Sequence, residues 1–207
     1  MGTPPPPLVE ITVGDEPAAW ASVGFAVGDD GTTGVGTVGL RLAGPAAGRG
    51  ITGWALADGG GDIDGLPTAA ADLDALPAGA PHHANGVLSI DHLVVATPDL
   101  ERTTAALEDR GILARRTREA GRGRAQRFFR LGEVIVELIG PTEPAGDGPA
   151  SFWGLAFTVA DLDATAAQLN GRIGETKAAV QPGRHIATLH AGDEISVPVA
   201  FMSQARR

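Results

Sequence analysis

Two stretches of the chain repeat one pattern of hydrophobic and polar positions. The pattern Asp-Leu-x-x-Thr-x-x-x-Leu begins at Asp99 and again at Asp161, and a short apolar run precedes each copy, at 90–96 and 153–159. Short runs of β-branched and bulky residues are typical of strands. Leucines seven residues apart lie on one face of a helix, and an aspartate at its start can accept hydrogen bonds from the first turn. The pattern therefore predicts a strand followed by a capped helix, twice.

Extended segments follow each predicted helix. In the first copy, residues 125–131 and 134–139 flank a glycine-containing turn, which predicts a hairpin. In the second copy, residues 185–190 and 195–201 flank another glycine-containing turn. Each copy thus consists of a strand, a helix and three further strands, although the second strand is faint in both. The predicted fold class is α+β, with tandem βαβββ units.

The N-terminal part of the chain carries weaker echoes of the same unit. Residues 8–45 predict a strand, a short helix with Pro17 in its first turn, and later strands, and residues 50–80 predict the stub of a further unit. A proline run opens the chain and favours a stiff leader. The predicted organisation is a disordered leader at 1–7, a degenerate N-terminal βαβββ-like region with its linker at 8–84, and two paired units at 85–207.

Composition narrows the classes of function. The 207 residues carry a formal net charge of −9, which opposes nucleic-acid binding, and they include no cysteine, which excludes disulfides and thiol nucleophiles. No apolar run approaches the roughly 18 residues that cross a bilayer. We therefore expect a cytoplasmic, bacterial protein without membrane or nucleic-acid partners. Seven arginines lie between Arg115 and Arg130, as either a solvated face or a clamp for anions.

The repeat resembles a known superfamily. An opening Ile-Asp-His-Leu-Val-Val, a Pro-Asp-Leu at the helix start and a later strand that contains glutamate are similar to the vicinal oxygen chelate superfamily of glyoxalase I, extradiol dioxygenases and bleomycin-resistance proteins. The resemblance covers residues 88–203 and, more weakly, 8–60. It implies curled mixed sheets around a cleft, where the first and last strands of each unit supply ligands to a divalent metal such as zinc, nickel, manganese or iron.

The resemblance assigns the first-strand ligand to His92 and the last-strand ligand to Glu137. A neutral imidazole and a carboxylate suit such a metal, and in an enzyme they would also be the catalytic groups. Two alternatives stay open at these positions. His92 could be a satisfied histidine at a strand edge, and Glu137, in the middle of an apolar strand, could form an ion pair with Arg127.

The second unit departs from the pattern. The ligand positions fall on Gly154 and on Val197 or Pro198, none of which can ligate through a side chain. In the N-terminal region they fall on Glu10 and Arg41, and Glu10 could be a third ligand only if that region packs against the same cleft. The expected metal site is therefore an incomplete half-site, and no cofactor is required by the sequence.

Three further residues are candidates for contact with a substrate. Arg127 and Arg130 lie on the arginine-rich hairpin, and we expect at least one of them to approach Glu137 or an anionic ligand. Trp153, beside Gly154, is either core or part of the cleft wall. The pair His82-His83 lies in the linker and is expected to be solvated.

The favoured function is the binding of a small molecule in the cleft without a complete metal site, as in bleomycin-resistance proteins. The alternative is a divalent-metal-dependent lyase, isomerase or dioxygenase that acts on a small oxygenated substrate. A structural or regulatory relic is a third hypothesis, which rests on the degenerate N-terminal region. Paired units can meet within a chain or across a homodimer, and the sequence leaves that choice open.

Overall fold

The computed structural model describes the chain in four segments, residues 5–57, 59–75, 79–190 and 192–205. Residues 1–4 of the predicted leader and 76–78 of the predicted linker lie outside them. The described residues form a five-stranded sheet from the N-terminal part and an eight-stranded sheet from the remainder. No helix in these segments is long and apolar enough to cross a membrane.

The five-stranded sheet has the order β2-β3-β1-β4-β5. Its elements are β1 (Leu8–Val13), α1 (Pro17–Ser22), β2 (Thr32–Val35), β3 (Val38–Leu42), β4 (Ile51–Ala57) and β5 (Thr68–Ala71). Strand β1 runs parallel to β3 and antiparallel to β4, and β4 runs parallel to β5.

The eight-stranded sheet contains two units of identical element order. The first unit consists of β6 (Val87–Ala96), α2 (Leu100–Glu108), β7 (Ala114–Gly121), β8 (Arg124–Leu131) and β9 (Val134–Pro141). The second unit consists of β10 (Ser151–Val159), α3 (Leu162–Leu169), β11 (Lys177–Ala178), β12 (His185–Thr188) and β13 (Val199–Ser203). The sheet order is β11-β12-β13-β10-β6-β9-β8-β7, with the first strands of the units antiparallel at the centre. This confirms the predicted α+β fold of βαβββ units.

The predicted helix caps are present in both units. The Asp99 carboxylate accepts a hydrogen bond from the backbone N–H of Arg102 at 3.0 Å, and Asp161 accepts from the N–H groups of Asp163 and Ala164. Helix α3 ends at Asn170, which adopts a left-handed conformation. The faint second strands differ in the structure, because β7 has eight residues and β11 only two.

The N-terminal part packs against the second unit through an aromatic cluster. The ring centroid of Phe157 on β10 lies 5.1 Å from that of Phe25 and 6.1 Å from that of Trp20. Nearby, the buried Asp15 carboxylate accepts from the indole N–H of Trp20 and from the backbone N–H of Ser196, each at 3.0 Å. Apolar burial and a satisfied buried carboxylate therefore join the two sheets into one core.

The prediction that His83 is solvated is wrong. Its side chain is buried, its Nδ1 accepts from the Ala26 N–H at 3.1 Å, and its Nε2 lies 3.0 Å from the Gly34 carbonyl oxygen. Burial lowers the pKa of His83, although the hydrogen bond to Gly34 opposes that shift. A neutral imidazole has one donor and one acceptor, which matches these two partners.

Candidate functional site

A β-bulge on the central strand β6 sets the direction of His92. Ile90 pairs with Phe157 and His92 pairs with Ala156, so Asp91 is an extra residue with no partner on β10. Neighbouring residues on a regular strand point to opposite faces, but a bulge relaxes that alternation. The Asp91 and His92 side chains consequently meet, with Nδ1 of His92 at 3.0 Å from Oδ1 of Asp91.

The second unit holds Asp91 in place. Its Oδ2 lies 2.6 Å from an Nη atom of Arg184 and accepts the hydroxyl of Thr158 at 3.0 Å. Arg184 also donates through Nε to the Ser203 carbonyl at 2.8 Å. Burial raises the pKa of the Asp91 carboxyl, but hydrogen bonds from His92 and Arg184 and the charge of Arg184 outweigh it and lower that pKa from 3.8 to about 2. Asp91 is therefore an ionised, fully hydrogen-bonded group near neutral pH.

This arrangement orients the imidazole of His92. The ionised Asp91 accepts the Nδ1–H of His92, and in the neutral form of the imidazole this leaves the Nε2 lone pair directed into the cleft. That Nε2 lies 3.7 Å from Oε2 of Glu137 on the adjacent strand β9, too far for a direct hydrogen bond. The other oxygen, Oε1, accepts from the side-chain amide of Gln126 on β8. The remaining atom of that amide, Gln126 Oε1, is buried and has no hydrogen-bond partner among the described residues.

A cleft of about 450 Å³ opens over these groups on the same face of the eight-stranded sheet. The acceptor floor is our name for its polar base, formed by His92, Glu137 and, through an adjoining hollow of about 250 Å³, Gln126. The arginine rim is our name for the four guanidinium groups at its edge, those of Arg115, Arg116, Arg118 and Arg130. Apolar contact surface between floor and rim comes from Phe128, Ile135, Val180 and Pro182.

The structure brings four of the predicted site residues to one cleft. His92, Glu137 and Arg130 line the main cavity, and Trp153 lines a third hollow of about 200 Å³ that also reaches His92. The Trp153 side chain is 57% exposed, so it forms part of the cleft wall and not of the core. Arg130 and Glu137 thus line one cavity, and the expectation that an arginine of the hairpin approaches Glu137 or an anionic ligand stays a prediction.

Arg127 and Glu10 lie elsewhere. Arg127 faces helix α2, where it pairs with Glu101 and donates to Thr104 at 2.8 Å, so it is not available to Glu137 or to a ligand in the cleft. The physical reason is strand alternation, which sends Arg127 and Arg130 to opposite faces of β8. Glu10 pairs with Arg41 at 2.8 Å in the five-stranded sheet and is not brought to His92.

Sequence reasoning missed three residues of this network. Asp91 is adjacent to His92, but only the bulge brings their side chains together. Arg184 lies in the segment before β12, far along the chain from its partner, and no local pattern connects the two. Gln126 had a usable signal, because it alternates with Phe128 and Arg130 on one face of β8.

The residues at the cleft do not fit a resident metal. Among the described residues no group of three or more histidine, cysteine, aspartate or glutamate side chains converges on one point. At the counterpart of His92 in the second unit, a Cβ on Gly154 would lie 2.8 Å from the Pro198 carbonyl oxygen, so a ligating side chain has no room there. A tight catalytic centre normally uses about three protein ligands, and His92 with Glu137 supplies two.

Comparison with known proteins identifies the class of this fold and site. Residues 91–188 match the family model described as the Glyoxalase/Bleomycin resistance protein/Dioxygenase superfamily. This segment runs from the bulge of β6 to the end of β12, spans just under half of the chain, and is similar to that superfamily. No curated protein matches the chain.

Several solved structures resemble part of the chain. Methylmalonyl-CoA epimerase from Mycobacterium tuberculosis is 18% identical, with 58% of this chain and 91% of that chain covered and a TM-score of 0.48. The Streptomyces coelicolor enzyme of that name, in complex with 2-nitronate-propionyl-CoA, is 22% identical, with 57% and 96% covered and a TM-score of 0.47. A hypothetical protein from Bacillus halodurans C-125 is 16% identical, with 57% and 96% covered and a TM-score of 0.46. The similarity to the superfamily therefore rests on the family match alone.

Proposed function

We propose that the cleft of the eight-stranded sheet binds a small molecule, without a complete metal site, and that His92 and Glu137 contact that molecule directly. The proposal extends to a cytoplasmic setting, with which a cysteine-free chain is compatible. The observation that carries the proposal is the buried Asp91–Arg184 pair behind His92. A buried ion pair is weak evidence for added stability, since its desolvation offsets much of its attraction. Here the Asp91–Arg184 pair orients the imidazole of His92, whose Nε2 faces the cleft.

The shape of the cleft supports the same proposal. Small-molecule sites are concave, mostly apolar, a few hundred Å³ in volume, and carry a small number of fixed polar groups. The cavity of about 450 Å³ has these properties, with aromatic and aliphatic walls from both units. Val180, 67% exposed at the mouth, belongs to the segment between β11 and β12 and adds apolar surface above the first unit.

The test uses N-phenyl-1-naphthylamine, an uncharged dye whose fluorescence rises in apolar surroundings. We expect wild-type protein to bind one equivalent of the dye. Ile135→Trp should abolish the signal because the larger side chain fills the cleft. Leu113→Trp is the matched control, since Leu113 is 51% exposed and lies outside the cleft. Equal dye binding by wild type and Ile135→Trp would show that the cleft is not the binding site.

Metal titration separates this proposal from the metal-dependent alternative. His92 Nε2 and Glu137 Oε2 lie 3.7 Å apart, a spacing that two donors to one ion could adopt after a small adjustment. We expect only weak binding of zinc, nickel, manganese or iron(II). Stoichiometric submicromolar binding that both His92→Ala and Glu137→Ala abolish would show this proposal wrong and move the lyase, isomerase or dioxygenase alternative to first place.

A further inference from the structure

The arginine rim consists of guanidinium groups that have no carboxylate partner in the described part of the chain. Within the described segments, none of its four guanidinium groups forms an ion pair, whereas Arg41, Arg102, Arg127, Arg172 and Arg184 each pair with a carboxylate. The other arginines without an ion pair in these segments, namely Arg49, Arg110, Arg122 and Arg124, do not line the cleft. The chain has a net charge of −9, so unpaired arginines concentrated at one cleft mark a local reversal of the molecule's field.

Strand register explains why these arginines share the cleft face. Arg116 lies opposite Phe128 and Arg118 lies opposite Gln126, and residues directly opposite one another project to the same side of a sheet. A register shift between Ala114 and Arg116 makes Arg115 an extra residue on β7, which lets it join the same cavity. Arg130 reaches the same face from β8, opposite Ile135.

The acceptor floor has the opposite hydrogen-bonding character. Glu137 is a carboxylate, the neutral form of His92 with its proton on Nδ1 presents the lone pair of Nε2, and Gln126 has a buried oxygen with no partner in the described part of the chain. All three are acceptors, and a buried acceptor without a donor is costly. A ligand that satisfies them must bring hydrogen-bond donors, while the rim requires negative charge.

Building on the proposed function, we propose that the ligand of this cleft is a small dipolar molecule. One end carries a dianionic group such as a phosphate monoester, which the arginine rim binds. The body is apolar and lies against Phe128 and Ile135. The other end carries a hydroxyl or ammonium group, which donates to Glu137, Gln126 and His92. Guanidinium groups are well suited to the first contact because they form paired hydrogen bonds to phosphate oxygens.

A matched set of three probes tests both ends. O-phosphotyramine has a phosphate, an aromatic body and an ammonium group, phenyl phosphate lacks the ammonium group, and tyramine lacks the phosphate. Trp153 is the reporter, since Trp20 and Trp54 are buried. We expect O-phosphotyramine to bind about tenfold or more tightly than either partial probe, because charge-assisted hydrogen bonds are lost at one end of each. Equal affinity of all three would overturn the proposal.

Substitutions assign each end to its residues. Arg116→Ala/Arg118→Ala should weaken O-phosphotyramine about tenfold or more and leave tyramine unchanged. Arg49→Ala/Arg122→Ala is the control, because it removes the same charge at exposed arginines outside the cleft. Glu137→Gln should reduce O-phosphotyramine to the affinity of phenyl phosphate. A loss as large in the control as in the rim variant would mean that bulk charge is responsible, and the proposal would be wrong.

Two further outcomes are decisive. If the uncharged dye enters the cleft and Ile135→Trp blocks it, but O-phosphotyramine does not bind, the ligand class is wrong while the binding function stands. If the dye does not bind in the cleft, the binding function itself fails. A single-stranded oligonucleotide that binds more tightly than O-phosphotyramine, and loses that affinity in the rim variant, would make the rim a nucleic-acid surface and overturn the proposal.

Discussion

The two units of the eight-stranded sheet share one strand order and differ in what they place in the cleft. The first unit supplies the acceptor floor and the arginine rim. The second has Gly154 where the first has His92, and it supplies Trp153 and the apolar side chains of Val180 and Pro182. Its charged contribution, Arg184, holds Asp91 from behind.

This difference between the units indicates which positions of the repeated unit are constrained by packing in the core. The apolar residues that face the core are retained in both units, because each unit buries its helix and its central strand in the same way. Cleft-facing residues carry no such constraint, so the units could diverge there. Under the proposed function the first unit is the chemical half and the second is the supporting half, to which the N-terminal part adds its aromatic cluster.

The largest effect is expected from the core of the supporting half. Phe157 is fully buried against Trp20, Phe25 and Phe201, so Phe157→Ala should lower the free energy of unfolding by about 3–5 kcal/mol. Urea unfolding measures it. Phe128→Ala in the cleft is the control and should cost about 1 kcal/mol. Equal losses would contradict the division into a chemical and a supporting half.

Acid unfolding measures how much the Asp91–Arg184 pair behind His92 contributes to the stability of the fold. The pKa of Asp91 is about 2 in the folded protein and 3.8 as its ordinary value. A lowered pKa stabilises the fold fully above pH 4, and this stabilisation is lost as the pH falls from 4 to 2. This stabilisation amounts to about 2 kcal/mol of unfolding free energy. The difference in unfolding free energy between pH 5 and pH 2 should therefore be smaller by that amount in Asp91→Asn than in wild type. The matched variant Asp30→Asn, at an exposed carboxylate whose pKa is lowered by Thr32, should change that difference less. A wild-type acid profile in Asp91→Asn would refute the pair's contribution.

Gly154 tests whether the second unit could regain a side chain at the position of His92. Gly154→Ala should destabilise the protein by about 1 kcal/mol or more, since its Cβ would meet the Pro198 carbonyl oxygen at 2.8 Å. Gly148→Ala is the control, because a Cβ there has open space. Thermal unfolding of both variants measures the effect. Unchanged stability in Gly154→Ala would mean that the backbone shifts easily and that the position has room for a metal-ligating side chain.

The smallest change in stability is expected from substitutions that distinguish the two faces of strand β8. Arg127→Ala should lower stability by about 0.5–1 kcal/mol, because its partner Glu101 is exposed and such pairs are weak. It should leave O-phosphotyramine binding unchanged. Arg130→Ala should do the reverse, with unaltered stability and weaker binding. Parallel thermal unfolding and Trp153 titrations measure both, and any loss of binding in Arg127→Ala would place that residue in the cleft after all.

The sequence was sufficient for the regular parts of the fold. The repeated aspartate, threonine and leucine spacing specifies both capped helices, because capping and amphipathic periodicity are local effects. The hairpin of β8 and β9 follows from its glycine turn in the same way. Alternation along β8 is equally local, and it puts Gln126, Phe128 and Arg130 on one face and Arg127 on the other.

Alternation could not tell which face is the cleft, and for that reason Arg127 was grouped with Arg130. The burial of His83 was equally hidden, because its partners at Ala26 and Gly34 are nearly sixty and fifty residues away. The contact of Asp91 with Arg184 depends on the meeting of two units, and the bulge depends on cross-strand pairing. These are tertiary effects that no local window contains.

Because of the bulge at Asp91, the geometry of the site depends on the number of residues in β6 as well as on their identity. Ile90 and Leu93 both face the core although they are three apart, and a regular strand would require an even spacing. The extra residue is what allows His92 to face the cleft while its neighbours stay buried. If β6 continued as a regular strand from Ile90 through the same residues, the imidazole of His92 would point toward the core with every functional side chain still encoded. The length of this strand is therefore as much a part of the site's inheritance as the histidine itself.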